Sequence, residues 1–164
     1  MLRERIYSRH TARARHVIVL AQAQAKAHHH HYIGPEHILL GICREPGGTG
    51  ARIIGACGAS PDSLAADLAQ RLLPPSGEVP DRPPFTAGAK KVIELTARKA
   101  RQLGHDQIST GHLLLGLLIQ DGGRAAEVLA EAGITWQRAE RELLRPAAAG
   151  DDDGDETPLP GDRP

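Results

Sequence analysis

The residues best equipped for chemistry are a run of histidines, His28-His29-His30-His31, the further histidines His37 and His112, and the cysteines Cys43 and Cys57. Imidazole is a common metal ligand, but neighbouring side chains on a short connection rarely converge on one ion. The tract is therefore expected to be a solvated loop, and no metal site is assigned. His37 follows Glu36 directly, and that order is not the His-Glu-x-x-His of zinc hydrolases. Cys43 could in principle be a nucleophile beside a histidine, yet the second half of the chain has Leu118 in its place, which marks packing. Two cysteines in a chain of this length make no disulfide framework, and buried free thiols are expected. The chain is expected not to be an enzyme and to need no cofactor.

The two halves of the chain are copies of one internal repeat. Tyr32-Ile33-Gly34-Pro35-Glu36-His37-Ile38-Leu39-Leu40-Gly41 is matched 75 residues later by Gln107-Ile108-Ser109-Thr110-Gly111-His112-Leu113-Leu114-Leu115-Gly116. Aligned without a gap, residues 11–70 and 86–145 share 18 identities in 60 positions. Shared glycines weigh most: Gly41 with Gly116, Gly47-Gly48 with Gly122-Gly123, and Gly58 with Gly133. The His28–His31 tract falls opposite Leu103-Gly104-His105-Asp106 with nothing inserted, so it occupies a native connection and is not an appended tag.

Each copy reads as four helices. Thr11 and Thr86 stand where a hydroxyl can accept a bond from the first turn, ahead of apolar residues at 3, 4 spacing such as Ala14, Val17, Ile18 and Ala21. Helices are predicted at about 12–28, 35–45, 50–57 and 61–73, and again near 86–103, 110–120, 123–132 and 135–145. Pro35 suits a first helical position, and Glu36 beside it suits the positive end of the helix dipole. Gly41 inside an apolar helix costs about 1 kcal/mol against Ala. Close approach of another helix is the expected compensation. The domain is expected over 1–145, with repeat 1 at 11–73, a Pro-rich linker at 74–85 and repeat 2 at 86–145. Residues 146–164, rich in Asp and Pro, are expected to be a disordered tail.

Composition narrows the classes. Twenty basic residues balance twenty acidic ones, which argues against a general nucleic-acid binder. Basic residues on the first helix of each copy are read as a solvated face, with a DNA-binding regulator the lesser alternative. No apolar run approaches the ~20 residues a bilayer span needs, so no membrane association is expected. No signal-type segment follows Met1, and the cytoplasm is the default. A monomer is expected.

These motifs resemble the Clp N-terminal domain, the double-repeat module at the front of the ClpA, ClpB and ClpC unfoldase ATPases. The likeness covers about residues 4–145 and is closest to the ClpC type. It implies an all-α fold of eight helices, arranged as two four-helix repeats related by a pseudo-twofold axis. No Gly-x-x-x-x-Gly-Lys-Ser/Thr phosphate loop is present, so a stand-alone module without ATPase activity is expected. By the resemblance its partners are proteins (a Clp ATPase, adaptors or marked substrates) or peptide ligands.

The resemblance also implies sites. ClpC-type repeats each carry a pocket for phosphorylated arginine, in which a carboxylate takes the guanidinium and a helix start takes the phosphate. Glu36 matches the carboxylate, and Thr11 and Thr86 match the threonines that open the first helices. Gly111 stands at the carboxylate position of the second copy and Pro35 replaces a Thr, so a single pocket around Glu36 is expected. A second surface binds cyclic peptide antibiotics in actinobacterial members. Tyr7, Arg15, Phe85, Lys90 and Glu94 stand at its positions. That match raises an alternative role as a decoy sequestering such compounds.

Overall fold

The computed structural model describes residues 7–145. Among them are eight α-helices and no strand: α1 (Ala12–Ala27), α2 (Pro35–Cys43), α3 (Thr49–Ala56), α4 (Pro61–Gln70), α5 (Ala87–Gln102), α6 (Thr110–Gln120), α7 (Gly123–Glu131) and α8 (Trp136–Leu144). The fold is all-α, as expected, with helix ends shifted by a few residues at most. The expected disordered tail, 146–164, lies outside the described residues.

Local chemistry sets the helix starts. Thr11 Oγ1 accepts the Ala14 N–H at 3.2 Å, and Thr86 Oγ1 accepts the Ala89 N–H at 3.1 Å. Each hydroxyl satisfies a donor that the first turn would otherwise leave free. Pro35 and Pro61 occupy first helical positions, where a missing N–H costs nothing.

The α2 and α6 helices are the centre of the core. Ile38, Leu39, Leu40 and Ile42 are fully buried on α2, as are Leu113, Leu114 and Leu115 on α6. Burying each such side chain contributes roughly 1.5–3 kcal/mol. α1 lies on α2 and α5 lies on α6, and glycine sets the separation. A Cβ at Gly41 would stand 2.6 Å from the Val17 carbonyl oxygen, and one at Gly116 would stand 2.8 Å from that of Val92. The close approach expected from sequence is thus present in both copies.

Four backbone bonds then lock the halves together. Thr11 N–H donates to the Ile108 carbonyl at 2.9 Å, and Ile108 N–H to that of Arg9 at 2.8 Å. In mirrored roles, Thr86 N–H donates to Ile33 at 2.9 Å and Ile33 N–H to Pro84 at 2.8 Å. Adding 75 to Thr11 and Arg9 and subtracting 75 from Ile108 turns the first set into the second, so the pseudo-twofold relation is written in the hydrogen bonds. The consequence is an exchange: the start of α1 lies against the start of α6, and the start of α5 against the start of α2.

The histidine tract departs from expectation. His29 and His31 are exposed, but His30 is fully buried. The tract is a solvated loop only in part, because His30 has a partner in the core, described below. Cys43 and Cys57 are buried free thiols, and burial pushes the Cys43 pKa up to about 12. A thiol so hard to ionise is packing, not a nucleophile. Among the described residues no helix is long and apolar enough to cross a membrane.

Gly41→Ala and Gly116→Ala should each destabilise by about 1–3 kcal/mol in urea unfolding, because the carbonyls facing them belong to helix backbones and cannot step aside cheaply. Gly55→Ala on α3 is the control: nothing stands within 4 Å of its Cβ position. It should be neutral or stabilising by up to about 1 kcal/mol. Equal effects at all three sites would contradict glycine-set packing.

Candidate functional site

Both copies carry a pair of histidines at the start of their second helix, fully buried in the first copy and, in the second, with His112 buried and His105 half-buried. In the first, Gly34 N–H donates to His37 Nδ1 at 2.9 Å. That bond leaves the His37 proton on Nε2, which lies 2.8 Å from His30 Nδ1. His30 Nε2–H in turn donates to the Leu73 carbonyl at 2.8 Å. In the second, Ser109 N–H meets His112 Nδ1 at 2.9 Å and His112 Nε2 meets His105 Nδ1 at 2.8 Å. Every nitrogen of His37 and His30 is committed, so an added proton would face another donor. Burial and the neighbouring imidazoles hold His37 down to about 3 and His112 to about 4. His37 and His112 brace the helix starts in the neutral state. The seven-residue spacing within each pair, repeated at constant offset, was the sequence signal for them.

The Glu36 half comes next. Glu36 is the second residue of α2, half-buried, with its carboxylate folded back over the Cα of Gly34. Tyr32 stacks on His30, with ring centroids 5.1 Å apart. The Tyr32 hydroxyl is buried and has no hydrogen-bond partner among the described residues. Burial raises its pKa, the Glu36 charge adds to the rise, and Arg124 opposes it. Arg124, half-buried at the start of α7, makes no ion pair with a described residue. Thr86 joins this half through its bond to Ile33, and Gly88 leaves Pro35 uncovered by any side chain of its own. Sequence reasoning missed Tyr32 and Arg124. The repeat has Gln107 and Thr49 in their places, and that contrast was the available signal.

Thr11 lies in the other half, against α6. There a cleft of about 450 Å³ is walled by Thr11, Thr49, Arg52, His105, Ser109 and Leu143. Gly111 carries no carboxylate, and the space a side chain would need is taken. A Cβ would stand 2.9 Å from Leu143 Cδ1, 3.0 Å from Thr49 Cγ2 and 3.1 Å from Ile53 Cδ1. The structure therefore places Thr86 against the segment that leads into Glu36, and Thr11 against the segment that leads into Gly111.

The residues of the expected peptide surface fall into two groups. Tyr7 packs edge-on against His10 with centroids 5.0 Å apart, and Arg15 donates to the His10 carbonyl at 2.8 Å. Phe85 is half-buried on the core beside Ile33. Lys90 and Glu94 are exposed one turn apart on α5, where Glu94 pairs with Arg98 at 2.9 Å. His10 occupies the place of Phe85 in the repeat, and both its ring nitrogens are buried without a hydrogen-bond partner among the described residues. Burial, with Arg15 nearby, holds it down to about 4.

With helices, repeat and helix-start chemistry in place, the family follows. The chain belongs to the Clp repeat N-terminal domain family, whose model matches residues 9–132 and 84–159. Among relatives, it is 36% identical over 140 residues to the negative regulator of genetic competence ClpC/MecB of Bacillus subtilis (strain 168), covering 85% of this chain and 17% of that protein. It is 35% identical to the chaperone protein ClpB of Oceanobacillus iheyensis, with the same coverage. The chain thus spans under a fifth of these relatives' length. Among solved structures it matches the N-terminal domain of ClpD from Arabidopsis thaliana, with TM-score 0.65 and 25% identity over 85% of this chain and 95% of that one. A ClpV N-domain in complex with a VipB peptide shares the fold at TM-score 0.71 and 15% identity, covering 93% of this chain and 92% of that one.

The buried histidines make stability pH-dependent. His10, His37 and His112 stay neutral in the fold down to about pH 3–4, whereas an unfolded histidine protonates near 6.5. Below that pH the unfolded state holds more protons, so stability falls as pH drops from about 6.5 to 4, by up to about 1.4 kcal/mol per pH unit for each group. Urea unfolding at pH 7.5 and 5.0 should show the loss. His10→Phe should reduce it by removing one group. A loss of unchanged size in His10→Phe would remove His10 from the account.

Proposed function

We propose that this chain is a non-catalytic binding module of the Clp protease system, and that its first half recognises a phosphorylated arginine on a protein or peptide. The reading is carried by the Tyr32 hydroxyl, buried without a partner and subject to the opposite charges of Glu36 and Arg124. A ligand bearing a guanidinium and a phosphate has complementary charges. Glu36 would pair with the guanidinium. Arg124 and the Thr86 hydroxyl, whose oxygen already caps α5, would take the phosphate. Tyr32 would gain the partner it lacks.

Family membership supports the binding role, and the ClpV–VipB complex is an instance of peptide binding on this fold. The second half does not share the proposed chemistry, because Leu143, Thr49 and Ile53 fill the space where a carboxylate would project. Its partners are then protein substrates, adaptors or the Clp ATPase they serve.

Isothermal titration with a phosphoarginine peptide and its plain arginine counterpart tests this. The phosphorylated peptide should bind more tightly. Glu36→Ala should weaken both by about tenfold or more, as loss of a charge-assisted pair predicts. Arg124→Gln should erase most of the difference between the two. Heat that is absent, or unchanged in Glu36→Ala, would overturn the reading.

A further inference from the structure

The internal repeat allows each surface of one half to be checked against its twin. One groove is filled in the first half and open in the second. In the first half, the groove between α1 and the His28–Ile33 connection is covered by the linker. His30 Nε2–H donates to Leu73 O, Ser76 N–H donates to His29 O at 2.7 Å, and Gln22 Nε2 donates to Asp81 O at 3.2 Å. The counterparts of His29, His30 and Gln22 are Gly104, His105 and Ala97. In the second half these residues line open space. A cleft of about 170 Å³ is bounded by Arg9, Ala97, Ala100, Arg101, His105 and Ile108. It shares His105 and Asp106 with the larger cleft beside Leu143. His105 Nε2 has no partner corresponding to the Leu73 carbonyl among the described residues.

The open groove is also charged. Arg9 replaces Pro84 and Arg101 replaces Lys26, both exposed and neither ion-paired with a described residue. Only Asp106 offsets them among the charged residues of the smaller cleft. At the offset of 75, Leu73 and the linker residues 74–81 correspond to residues 148–156, Ala-Ala-Gly-Asp-Asp-Asp-Gly-Asp-Glu. That segment follows α8, whose last turn supplies Leu143 to the adjoining wall. The residues preceding Arg9 include Arg3, Glu4 and Arg5, which add positive charge and complement the groove poorly.

We propose that this groove is a binding site for an extended acidic peptide, and that its occupant is the chain's own segment 148–156. Seated there, an acidic segment would offer a backbone carbonyl to His105, as Leu73 offers one to His30, and carboxylates to Arg9 and Arg101. A partner bearing an acidic stretch reaches the groove by displacing it. This site is separate from Glu36 and stands or falls independently of the phosphoarginine reading.

The experiment compares the unaltered full chain with one in which Asp151, Asp152, Asp153 and Asp155 are changed to Asn and Glu156 to Gln. Amide chemical shifts of Arg9, Ala97, Arg101, His105 and Asp106 should differ between the two at low salt, and the difference should shrink as salt screens the contact. A synthetic peptide of residues 148–156 added to the neutralised chain should restore the shifts. It should bind the neutralised chain about fivefold or more tighter than the unaltered chain, where the tethered segment competes. Arg9→Gln with Arg101→Gln should abolish peptide binding while leaving the thermal midpoint within a few degrees. Identical shifts at these residues in both chains would overturn the proposal. Equal peptide affinity for both chains, with shifts in the groove, would overturn the assignment of the tail as occupant. Glu36→Ala should change none of these readings.

Discussion

The structure depends on the exchanged backbone bonds between the halves. A four-helix unit of this size has little surface to bury, and here neither unit's lead-in segment pairs with its own second helix. Thr11 reaches Ile108 and Thr86 reaches Ile33, so each half closes the other. Buried amides must find partners, and these bonds satisfy them only in the paired arrangement. The exchange also decides which side chains meet. It brings Thr86 to the segment before Glu36 and Thr11 to the segment before Gly111, a distribution that a linear reading of each repeat does not suggest.

Duplication of a fold leaves each copy free to diverge where packing does not forbid it. The apolar run of α2 and α6, the glycines under α1 and α5, and the histidine pairs are the same in both copies because they hold the architecture. Differences gather at the helix starts and grooves. One start keeps Glu36, with Tyr32 and Arg124 around it. The other has Gly111 where the carboxylate would stand, and Leu143, Thr49 and Ile53 fill the space there. One groove is filled by the linker, and its twin is open and lined by Arg9 and Arg101. The domain offers two unlike surfaces on a nearly symmetric frame.

Much of this was legible in the sequence, and the rest was hidden for physical reasons. Helix periodicity, the Thr caps and the repeat of Gly41 in Gly116 gave the helices and their closest contact, since each is a local signal. The pairing of Thr86 with Glu36 was not legible, because it arises from an exchange between segments about 50 positions apart. His30 was misjudged through its neighbours: three adjacent histidines are at least partly exposed, and only the alignment of His30 with His105 marked it as different. Tyr32 and Arg124 drew no attention because a tyrosine and an arginine at helix starts are ordinary until a buried, unpartnered hydroxyl joins them.

The central claim is that one half of this near-symmetric domain binds and its twin does not bind the same ligand. Mapping amide chemical shifts along a titration with a phosphoarginine peptide tests it most directly. The account predicts one site per chain, with perturbed residues clustered at Tyr32–Glu36, Thr86–Gly88 and Arg124. Two equivalent sites, or perturbations centred on Thr11 and Ser109, would contradict it.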